Sequence, residues 1–243
     1  MVDVVLQFEG DRSYSFRVLR ALKNRFGSTN ESGIFSMEAS GLQEISNPAG
    51  LFLEERSNDA SGSVVCACLE GNRPILVEVQ ALVAKTPYGM PRRTAVGFDY
   101  NRVTMLLAIL ERRLGMDFGA YDAYVNVVGG MRVTEPAADL AVAAALVSSY
   151  RNRPIPHGVL VMGEVGLTGE VRRIGSPERR IKDAMNLGFK RFVLPMGKLS
   201  LMNPAMVLCR LKLWKKRWIR FLLKRAEVSP LFFVYFKIKS ENL

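Results

Sequence analysis

Short runs of alternating apolar and polar residues dominate the first 45 positions. The run from Val2 to Phe8 is apolar, and Glu9-Gly10-Asp11 closes it with a turn signal. The next run, Phe16 to Lys23, has an apolar spacing that fits a helix about as well as a strand. If it is a strand, the two runs form a hairpin at the edge of a sheet. The run from Ile34 to Ile45, interrupted by Gly41, predicts a further pair of strands.

A loop at residues 46–62, rich in Asn, Ser, Pro and Gly, separates these runs from a second set of elements. It is the predicted domain boundary. Beyond the loop, Val64 to Leu69 and Ile75 to Ala84 predict two paired strands. The same criteria predict strands at Tyr124 to Val128, Val159 to Met162, Val165 to Ile174 and Arg191 to Leu194.

Three segments carry helix signals. Arg102 to Leu114 has apolar residues on one face and Gly115 just past its end; that face comprises Val103, Leu106, Leu107, Leu110 and Leu114. Pro136 opens an alanine-rich helix, Ala137 to Tyr150, which must pack closely against a neighbour. Glu178 to Leu187 predicts a third helix, stopped by Gly188. Elements in this order, with hairpins, predict an α+β or split α/β layer.

Residues 199–243 differ in composition from the rest of the chain. They carry ten bases and two acids, a net charge of +8, whereas the whole chain carries +11. Met206 to Ala226 places apolar residues on a helical stripe with bases between them, and Leu231 to Ile238 is an aromatic, strand-like run. Basic charge favours polyanionic partners, either nucleic acid or an anionic membrane surface, but most of it lies in this tail.

Cysteine usage and hydropathy indicate the cellular compartment. Cys66-Ala67-Cys68, inside an apolar run, forms neither a disulfide framework nor a four-ligand zinc site, and indicates buried thiols in a reducing compartment. The N-terminus lacks the basic start and apolar stretch of a secretory signal, and no run approaches the roughly 20 apolar residues of a membrane span. The sequence therefore predicts a cytoplasmic protein without a membrane partner.

Most catalytic signals are missing from the sequence. No Gly-x-x-x-x-Gly-Lys-Ser/Thr loop occurs, so ATP binding by this chain alone is not expected. His157, the only histidine, lies in a predicted turn with no cysteine or carboxylate close in sequence, which disfavours metal and acid–base roles. No metal site is predicted.

Clustered bases are the remaining positive signal. Lys85, Arg92, Arg93 and Arg102, near Tyr88, offer phosphate contacts beside an aromatic ring that could stack on a base. A solvated loop is the alternative interpretation of the same residues. Two arginine pairs, Arg172-Arg173 and Arg179-Arg180, are weaker candidates for phosphate contacts. Arg179-Arg180 lies on a predicted helix and could instead form ion pairs with Glu178 or Asp183.

A short motif, Lys23-Asn24-Arg25-Phe26-Gly27, ends the second predicted run and is preceded by Phe8-Glu9-Gly10-Asp11. It resembles the KNRFG motif of one family of bacterial DNA-repair proteins, the RadA/Sms family. Three further stretches look like its C-terminal domain, namely Leu76 to Val83, Gly97 to Val103 and Val128 to Ala141. The resemblance runs in order from about Val2 to Pro195.

The resemblance implies three regions and an α+β fold. Residues 1–60 would hold the last strands of a RecA-like ATPase core with the KNRFG motif. Residues 61–198 would form a Lon-protease-like domain of the ribosomal S5 domain 2-like fold, and residues 199–243 an atypical basic and apolar tail. The family's zinc module and phosphate-binding loop have no counterpart, so a truncated member is expected. A shifted reading frame and an acquired amphipathic helix are both open explanations of the tail.

The resemblance also implies roles for individual residues. Lys23, Asn24, Arg25, Phe26 and Gly27 would sense nucleotide across a subunit interface and couple it to DNA. Lon-like peptidases use a serine in a Pro-Ser-Ala-Gly turn and a lysine base; the matching places hold Ala137, within Pro136-Ala137-Ala138-Asp139, and about Glu178. A methyl group cannot form an acyl-enzyme, and a glutamate has the wrong charge, so no catalytic residue is predicted.

The implied function is DNA binding and oligomerisation within a RadA-like protein of recombinational repair that processes branched DNA, without ATPase activity of this chain. The implied partners are single-stranded or branched DNA, further copies of the chain in a hexameric ring, and a recombinase. ATP and Mg²⁺ are implied only for full-length members. A Lon-like serine peptidase is the alternative function, and a membrane-surface or structural scaffold is a third.

Overall fold

The computed structural model of the protein describes residues 2–9, 16–29, 32–45, 60–71, 73–87, 89–195, 197 and 207–211. Within these ranges the chain forms a four-stranded sheet near the N-terminus, a seven-stranded sheet and a two-stranded ribbon. Three α-helices pack on the seven-stranded sheet.

The N-terminal sheet is a meander of four strands. They are β1 (Val4–Glu9), β2 (Phe16–Asn24), β3 (Ser32–Glu38) and β4 (Gly41–Glu44), and each pairs antiparallel with the next. The segment from Phe16 to Lys23 is therefore a strand, because it is paired along both of its edges. The predicted strand pair around Gly41 is confirmed.

The two faces of this sheet differ in burial. Val18 and Ile34, which face each other in register on β2 and β3, are buried. The other face exposes several large apolar side chains, namely Leu6, Phe8, Met37 and Leu42. Arg20 on β2 forms an ion pair with Glu70, which ends the first strand of the large sheet. The sheet thus touches the larger unit through its buried face.

The large sheet mixes antiparallel and parallel pairs. Its strands are β5 (Ser63–Glu70), β6 (Arg73–Lys85), β7 (Arg93–Val96), β8 (Tyr121–Val127), β9 (Val159–Val161), β12 (Arg191–Pro195) and β13 (Val207–Leu211). They lie in the spatial order β13-β12-β9-β5-β6-β8-β7. The ribbon consists of β10 (Glu164–Val165) and β11 (Val171–Arg172). The predicted mixture of α and β structure is confirmed.

The first helix begins and ends at capping residues. Helix α1 (Tyr100–Leu114) starts after Asp99, whose carboxylate accepts the backbone N–H of Arg102 at 2.7 Å, and it ends at Gly115 with φ 65°. Helix α2 (Asp139–Tyr150) follows a short 3₁₀ turn at Pro136–Ala138. Helix α3 is Pro177–Asn186. All three predicted helices are confirmed.

Alternation along the central strands divides the core in two. Cys66 and Val77 point to the face covered by α1 and α2, whereas Val65, Ala67 and Leu76 point to the face covered by α3. Helix α2 buries almost every residue, which explains its small side chains: alanine lets the helix approach the sheet closely.

Two element predictions are wrong, and one strand was not predicted. Val165 to Ile174 is not one strand, because Gly166 and Gly169 form a turn that splits it into β10 and β11. Strand β7, which begins at Arg93 within the cluster of bases, was not predicted; it pairs parallel with β8. The predicted helix from Met206 to Ala226 begins instead as strand β13, because residues 207–211 pair with β12; the remainder of it, and Leu231 to Ile238, lie outside the described residues.

The predicted boundary falls between the two sheets. Most of the predicted linker, residues 46–59, lies outside the described residues, so the division at residues 60 and 61 stays a prediction. Within the described ranges, no helix is both long and apolar enough to cross a bilayer.

Candidate nucleic-acid interface

Helices α1 and α2 run in the same direction, which gives the domain two distinct ends. Arg102 in the first turn of α1 binds Asp139, the first residue of α2. At the other end, the ring of Tyr150, the last residue of α2, lies 5.1 Å from the ring of Phe118, just beyond α1. We call these the N-terminal end and the C-terminal end of the helix pair.

Arg102 is fully engaged at the N-terminal end. Its Nε donates to Oδ1 of Asp139 at 2.9 Å, and its Nη2 donates to Oδ2 of the same carboxylate and to the carbonyl of Val165 at 2.8 Å. Asp139 is completely buried and also accepts the N–H of Val165 at 3.0 Å. Burial raises the pKa of Asp139, and the guanidinium of Arg102 opposes that rise. Arg102 therefore joins α1, α2 and β10.

A second ion pair lies on the other side of the Pro136–Ala138 turn. Arg180 of α3 is completely buried and donates to both carboxylate oxygens of Glu135, to the carbonyl of Ala67 at 2.6 Å and to that of Gly175 at 2.9 Å. Glu135 also accepts the N–H of Leu69 at 2.7 Å. The expectation that Arg180 pairs with Glu178 or Asp183 is wrong, because its side chain turns inward instead of lying along the helix surface.

The turn between the two ion pairs holds the position matched to a peptidase nucleophile. Ala137 presents a buried methyl group, and its carbonyl accepts the N–H of Gly163 at 2.7 Å. Leu140 in turn donates to the carbonyl of Gly163 at 3.0 Å, so the turn is fixed to the end of β9. Glu178 lies in the first turn of α3. These hydrogen bonds fix the backbone of the turn, and the side chain of residue 137 has no hydroxyl group.

The C-terminal end brings together three of the four predicted DNA-binding residues. Lys85 ends β6 and faces Tyr121 in register, and Arg92 and Arg93 adjoin the start of β7. Lys85 and Arg92 are exposed. Arg93 is half-buried, and its guanidinium donates to the carbonyls of Tyr121, of Phe118 at 2.7 Å and of Arg92 at 3.2 Å. Arg93 thus has internal partners, as Arg102 does at the opposite end.

A buried carboxylate fixes the loop that carries Arg92. Asp122 accepts the backbone N–H of Arg92 at 2.8 Å and the hydroxyl of Thr86 at 2.9 Å. These two hydrogen bonds hold the pKa of Asp122 below its usual range. The exposed side chain of Arg92 therefore projects from a fixed backbone. Tyr88, the aromatic residue predicted nearby, lies outside the described residues.

Four further bases were missed at the C-terminal end. Arg112 and Arg113 lie in the last turn of α1, and Arg151 and Arg153 follow α2; all four are exposed. Bases at a helix C-terminus are favoured by the helix dipole, so each alone is unremarkable. The parallel helices place all four at one end of the domain, which sequence spacing does not show; the side chain of Arg113 lies against Gly169 of the ribbon turn. This end therefore carries several exposed bases, with Lys85 and Arg92 among them.

The KNRFG motif forms a fixed turn at the end of β2. The carboxamide oxygen of Asn24 accepts the N–H of Phe26 at 3.0 Å, and Arg25 forms an ion pair with Asp3 at 3.1 Å. The ammonium of Lys23 donates to the carbonyl of Val2 at 2.5 Å. Gly27 follows, and Phe26 is 79% exposed. The motif is thus a surface turn with an outward-facing aromatic ring.

Two other candidates have the expected surroundings. Cys66 and Cys68 are buried free thiols with sulfur atoms 3.6 Å apart, which confirms their predicted burial. The hydrogen bond with Cys66 and burial raise the pKa of the Cys68 thiol. His157 is exposed, and its carbonyl accepts a hydrogen bond from Arg191 at 2.7 Å.

One family model matches part of the chain. The model described as subunit ChlI of Mg-chelatase matches residues 80–198. That range extends from within β6 to just past β12, and so includes all three helices and both ends of the helix pair.

Individual relatives match a longer part. The chain is 56% identical over 196 residues to DNA repair protein RadA of Halalkalibacterium halodurans, 54% over 200 residues to that of Bacillus subtilis, and 53% over 195 residues to that of Listeria monocytogenes. These matches cover 80–82% of this chain but only 43–44% of each relative. The resemblance to the RadA family is therefore confirmed as a partial match, spanning less than half of each relative.

Proposed function

We propose that this chain binds DNA within a RadA-like repair system, using the C-terminal end of the helix pair. The observation that carries the proposal is the set of exposed bases gathered there by two parallel helices, together with the similarity to proteins named DNA repair protein RadA. Exposed Lys and Arg side chains on a fixed frame neutralise phosphates and release counterions. The bases are Lys85, Arg92, Arg112, Arg113, Arg151 and Arg153.

The proposal divides the four predicted DNA-binding residues into two pairs. Lys85 and Arg92 are exposed and are assigned to phosphate contacts. Arg93 and Arg102 hold backbone carbonyls and Asp139, and breaking those bonds to reach a phosphate would leave buried acceptors unpaired. Their assigned role is to fix the frame from which the exposed bases project.

We further propose, from the resemblance, a Lon-like fold for residues 61–198 and assembly into a ring. The proposed activity is action on single-stranded or branched DNA in recombinational repair, in cooperation with a recombinase. The mixed sheet and the buried alanine-rich helix after Pro136–Ala138 agree with the proposed fold. Cytoplasmic location belongs to this proposal as well.

ATP and Mg²⁺ do not fit the residues present. The sequence has no phosphate-binding loop, so no nucleotide chemistry is assigned to this chain. To contact a nucleotide supplied by another chain, Lys23 would have to break its hydrogen bond to the carbonyl of Val2, and Arg25 its ion pair with Asp3. A peptidase function is not proposed, because residue 137 offers a buried methyl group where a nucleophile is required.

The test is a fluorescence anisotropy titration with labelled single-stranded DNA across a salt series. The variant is Lys85→Ala with Arg92→Ala, and the control is Arg132→Ala, an exposed base beyond the opposite end of β8. Two lost phosphate contacts reduce the slope of log affinity against log salt by about 1.4, since each contributes about 0.7 on single strands. The control should leave the slope unchanged. Equal slopes for both variants, or no binding at low salt, contradict the proposal.

Oligomerisation needs its own measurement. Size-exclusion chromatography with light scattering gives the mass of the assembly in solution. A multiple of the 27.1 kDa chain mass supports the ring proposal, and a strict monomer at all concentrations contradicts it.

A further inference from the structure

Within the described residues, half of one face of the large sheet carries no covering helix. Helix α3 packs over β12, β9, β5 and the first part of β6, where Val65, Ala67 and Leu76 are buried. Along the second part of β6 and across β8 and β7, the same face carries exposed side chains, and no helix of the described residues contacts it. Leu82 on β6 is 59% exposed, and Val96 on β7 is 45% exposed.

Tyr124 occupies the centre of this uncovered surface. It pairs in register with Leu82 on one side and with Thr94 on the other, so its ring is flanked by both neighbouring strands. Its hydroxyl lies 3.4 Å from Oδ2 of Asp122, two residues earlier on the same face. The ring is half-buried, and an amide, Asn126, stands exposed two residues further along the strand.

The charge on this face favours an anionic occupant. Its two carboxylates are buried and occupied: Glu78 accepts Ser63 at 2.7 Å and Gln80 at 3.0 Å, and Asp122 holds Thr86 and the N–H of Arg92. The exposed side chain of Arg92 stands at the rim, two residues before Thr94. The uncovered surface is therefore continuous with the basic C-terminal end.

We infer that this surface is a stacking platform for single-stranded DNA, with Tyr124 stacking on one base. A sheet face with a central aromatic ring, flanking apolar and amide groups and a basic residue at its rim suits unpaired bases. A duplex hides its base faces and cannot use such a ring. The inference rests on the proposed DNA binding and specifies its substrate, namely a single strand that passes from Arg92 across β8.

The experiment measures affinity of the full chain for single-stranded and duplex DNA of equal length. Tyr124→Leu removes the aromatic face, and Tyr124→Phe is the matched control that keeps it. We expect Tyr124→Leu to weaken single-strand binding about tenfold, the size of one lost base-stacking contact, and Tyr124→Phe to stay within about twofold. Duplex affinity should change less than twofold in either variant. Circular dichroism checks that both variants are folded.

Crosslinking of the wild-type chain provides a second readout that needs no variant. Iodouracil placed along the single strand should crosslink to Tyr124, and mass spectrometry identifies the crosslinked residue. Crosslinks found only outside this surface overturn the inference.

The remaining outcomes separate the inference from the proposed function. If Lys85→Ala with Arg92→Ala weakens binding but Tyr124→Leu does not, Tyr124 is not a stacking platform, and DNA binding at the C-terminal end of the helix pair is still supported. If the wild-type chain binds no DNA, both fail. If Tyr124→Leu or Leu82→Ser lowers the assembly mass without altering DNA affinity, the surface is an interface between copies of the chain, and the platform is overturned.

Discussion

The two ends of the helix pair both contain arginines but use them in opposite ways. At the N-terminal end, Arg102 and Arg180 bind Asp139 and Glu135 on either side of one turn, and both arginines are removed from the surface contacts predicted for them. At the C-terminal end, Arg92 and its neighbours are exposed. Only Arg93 is turned inward there among the bases named, and it binds carbonyls rather than a carboxylate.

This difference shows that a basic residue is informative about function only when its partners are known. A buried guanidinium that satisfies carbonyls and carboxylates stabilises the fold, and removing it leaves those acceptors unpaired. An exposed guanidinium contributes little to stability and remains available to phosphate. Three predictions test this contrast, from the largest expected effect to the smallest, and a fourth tests a carboxylate of the ribbon.

Removing Arg180 should have the largest effect on stability. Arg180→Ala leaves Glu135 and two carbonyls without their donor in a buried setting, so we expect a loss of about 3 kcal/mol in the free energy of unfolding. Urea unfolding followed by circular dichroism measures it. Arg179→Ala, the exposed neighbour on the same helix, should lose less than about 1 kcal/mol. Equal losses for the two variants would place Arg180 on the surface.

Removing Arg102 should lower the free energy of unfolding somewhat less than removing Arg180 does, and the size of the loss should depend on pH. Arg102→Met leaves Asp139 buried without its cation, and because Arg102 is partly exposed we expect a loss of about 2 kcal/mol at pH 7. Burial holds the folded pKa of Asp139 above its unfolded value, so protonation favours the folded state and the cost of the bare carboxylate shrinks as pH falls.

Urea unfolding at pH 7 and pH 4.5 measures this dependence for Arg102→Met. A deficit that stays constant or grows as pH falls would exclude a buried, uncompensated Asp139 in the variant. Adding Asp139→Leu to Arg102→Met should recover stability at pH 7, because the uncompensated charge is then gone.

Arg93 should separate stability from DNA binding. Arg93→Ala loses hydrogen bonds to three carbonyls, which we expect to reduce the free energy of unfolding by about 1 to 2 kcal/mol. Because its guanidinium faces inward, the salt dependence of DNA binding should stay that of the wild type. The Lys85→Ala with Arg92→Ala variant should show the reverse pattern, with unchanged stability and a lower salt slope. A lowered slope in Arg93→Ala would contradict the structural role.

The smallest expected effect concerns the ribbon of β10 and β11. Hydrogen bonds from Thr168 and Arg172 lower the pKa of Glu170 to about 2. A depressed carboxyl pKa stabilises the fold above about pH 4.5 and loses that contribution as pH falls towards 2. Glu170→Gln should therefore differ from wild type at pH 6 and converge with it near pH 2, as measured by thermal unfolding. A difference that is independent of pH would refute the assignment.

The apolar spacing within single segments predicted most helices and strands. The remaining strands depend on pairing with partners that are distant in sequence. The apolar stripe of α1 and its stop at Gly115 follow from residues within one segment, and so were predictable. Strand β7 was missed because four residues give little pattern, and its parallel partner β8 starts 28 residues after Arg93. Strand β13 was predicted as a helix because its apolar spacing fits both, and only its pairing with β12 distinguishes them.

The candidate site was predictable in composition but not in arrangement. Lys85 and Arg92 were identified as basic and accessible, and the structure exposes both. The partner of Arg102 is Asp139, which is 37 residues away, so sequence could not reveal that this guanidinium is occupied. Arg151 and Arg153 were missed for the converse reason, because only the parallel packing of α1 and α2 places them at the same end of the domain as Lys85 and Arg92.

Phenylglyoxal labelling of arginines, followed by mass spectrometry with and without single-stranded DNA, tests the central contrast most directly and requires no variant. We expect Arg92 to be labelled rapidly in the free protein and protected by DNA, whereas Arg93 and Arg102 should be labelled slowly in both states. Rapid labelling of Arg93 or Arg102 with protection by DNA, or labelling of Arg92 that DNA leaves unchanged, would contradict it.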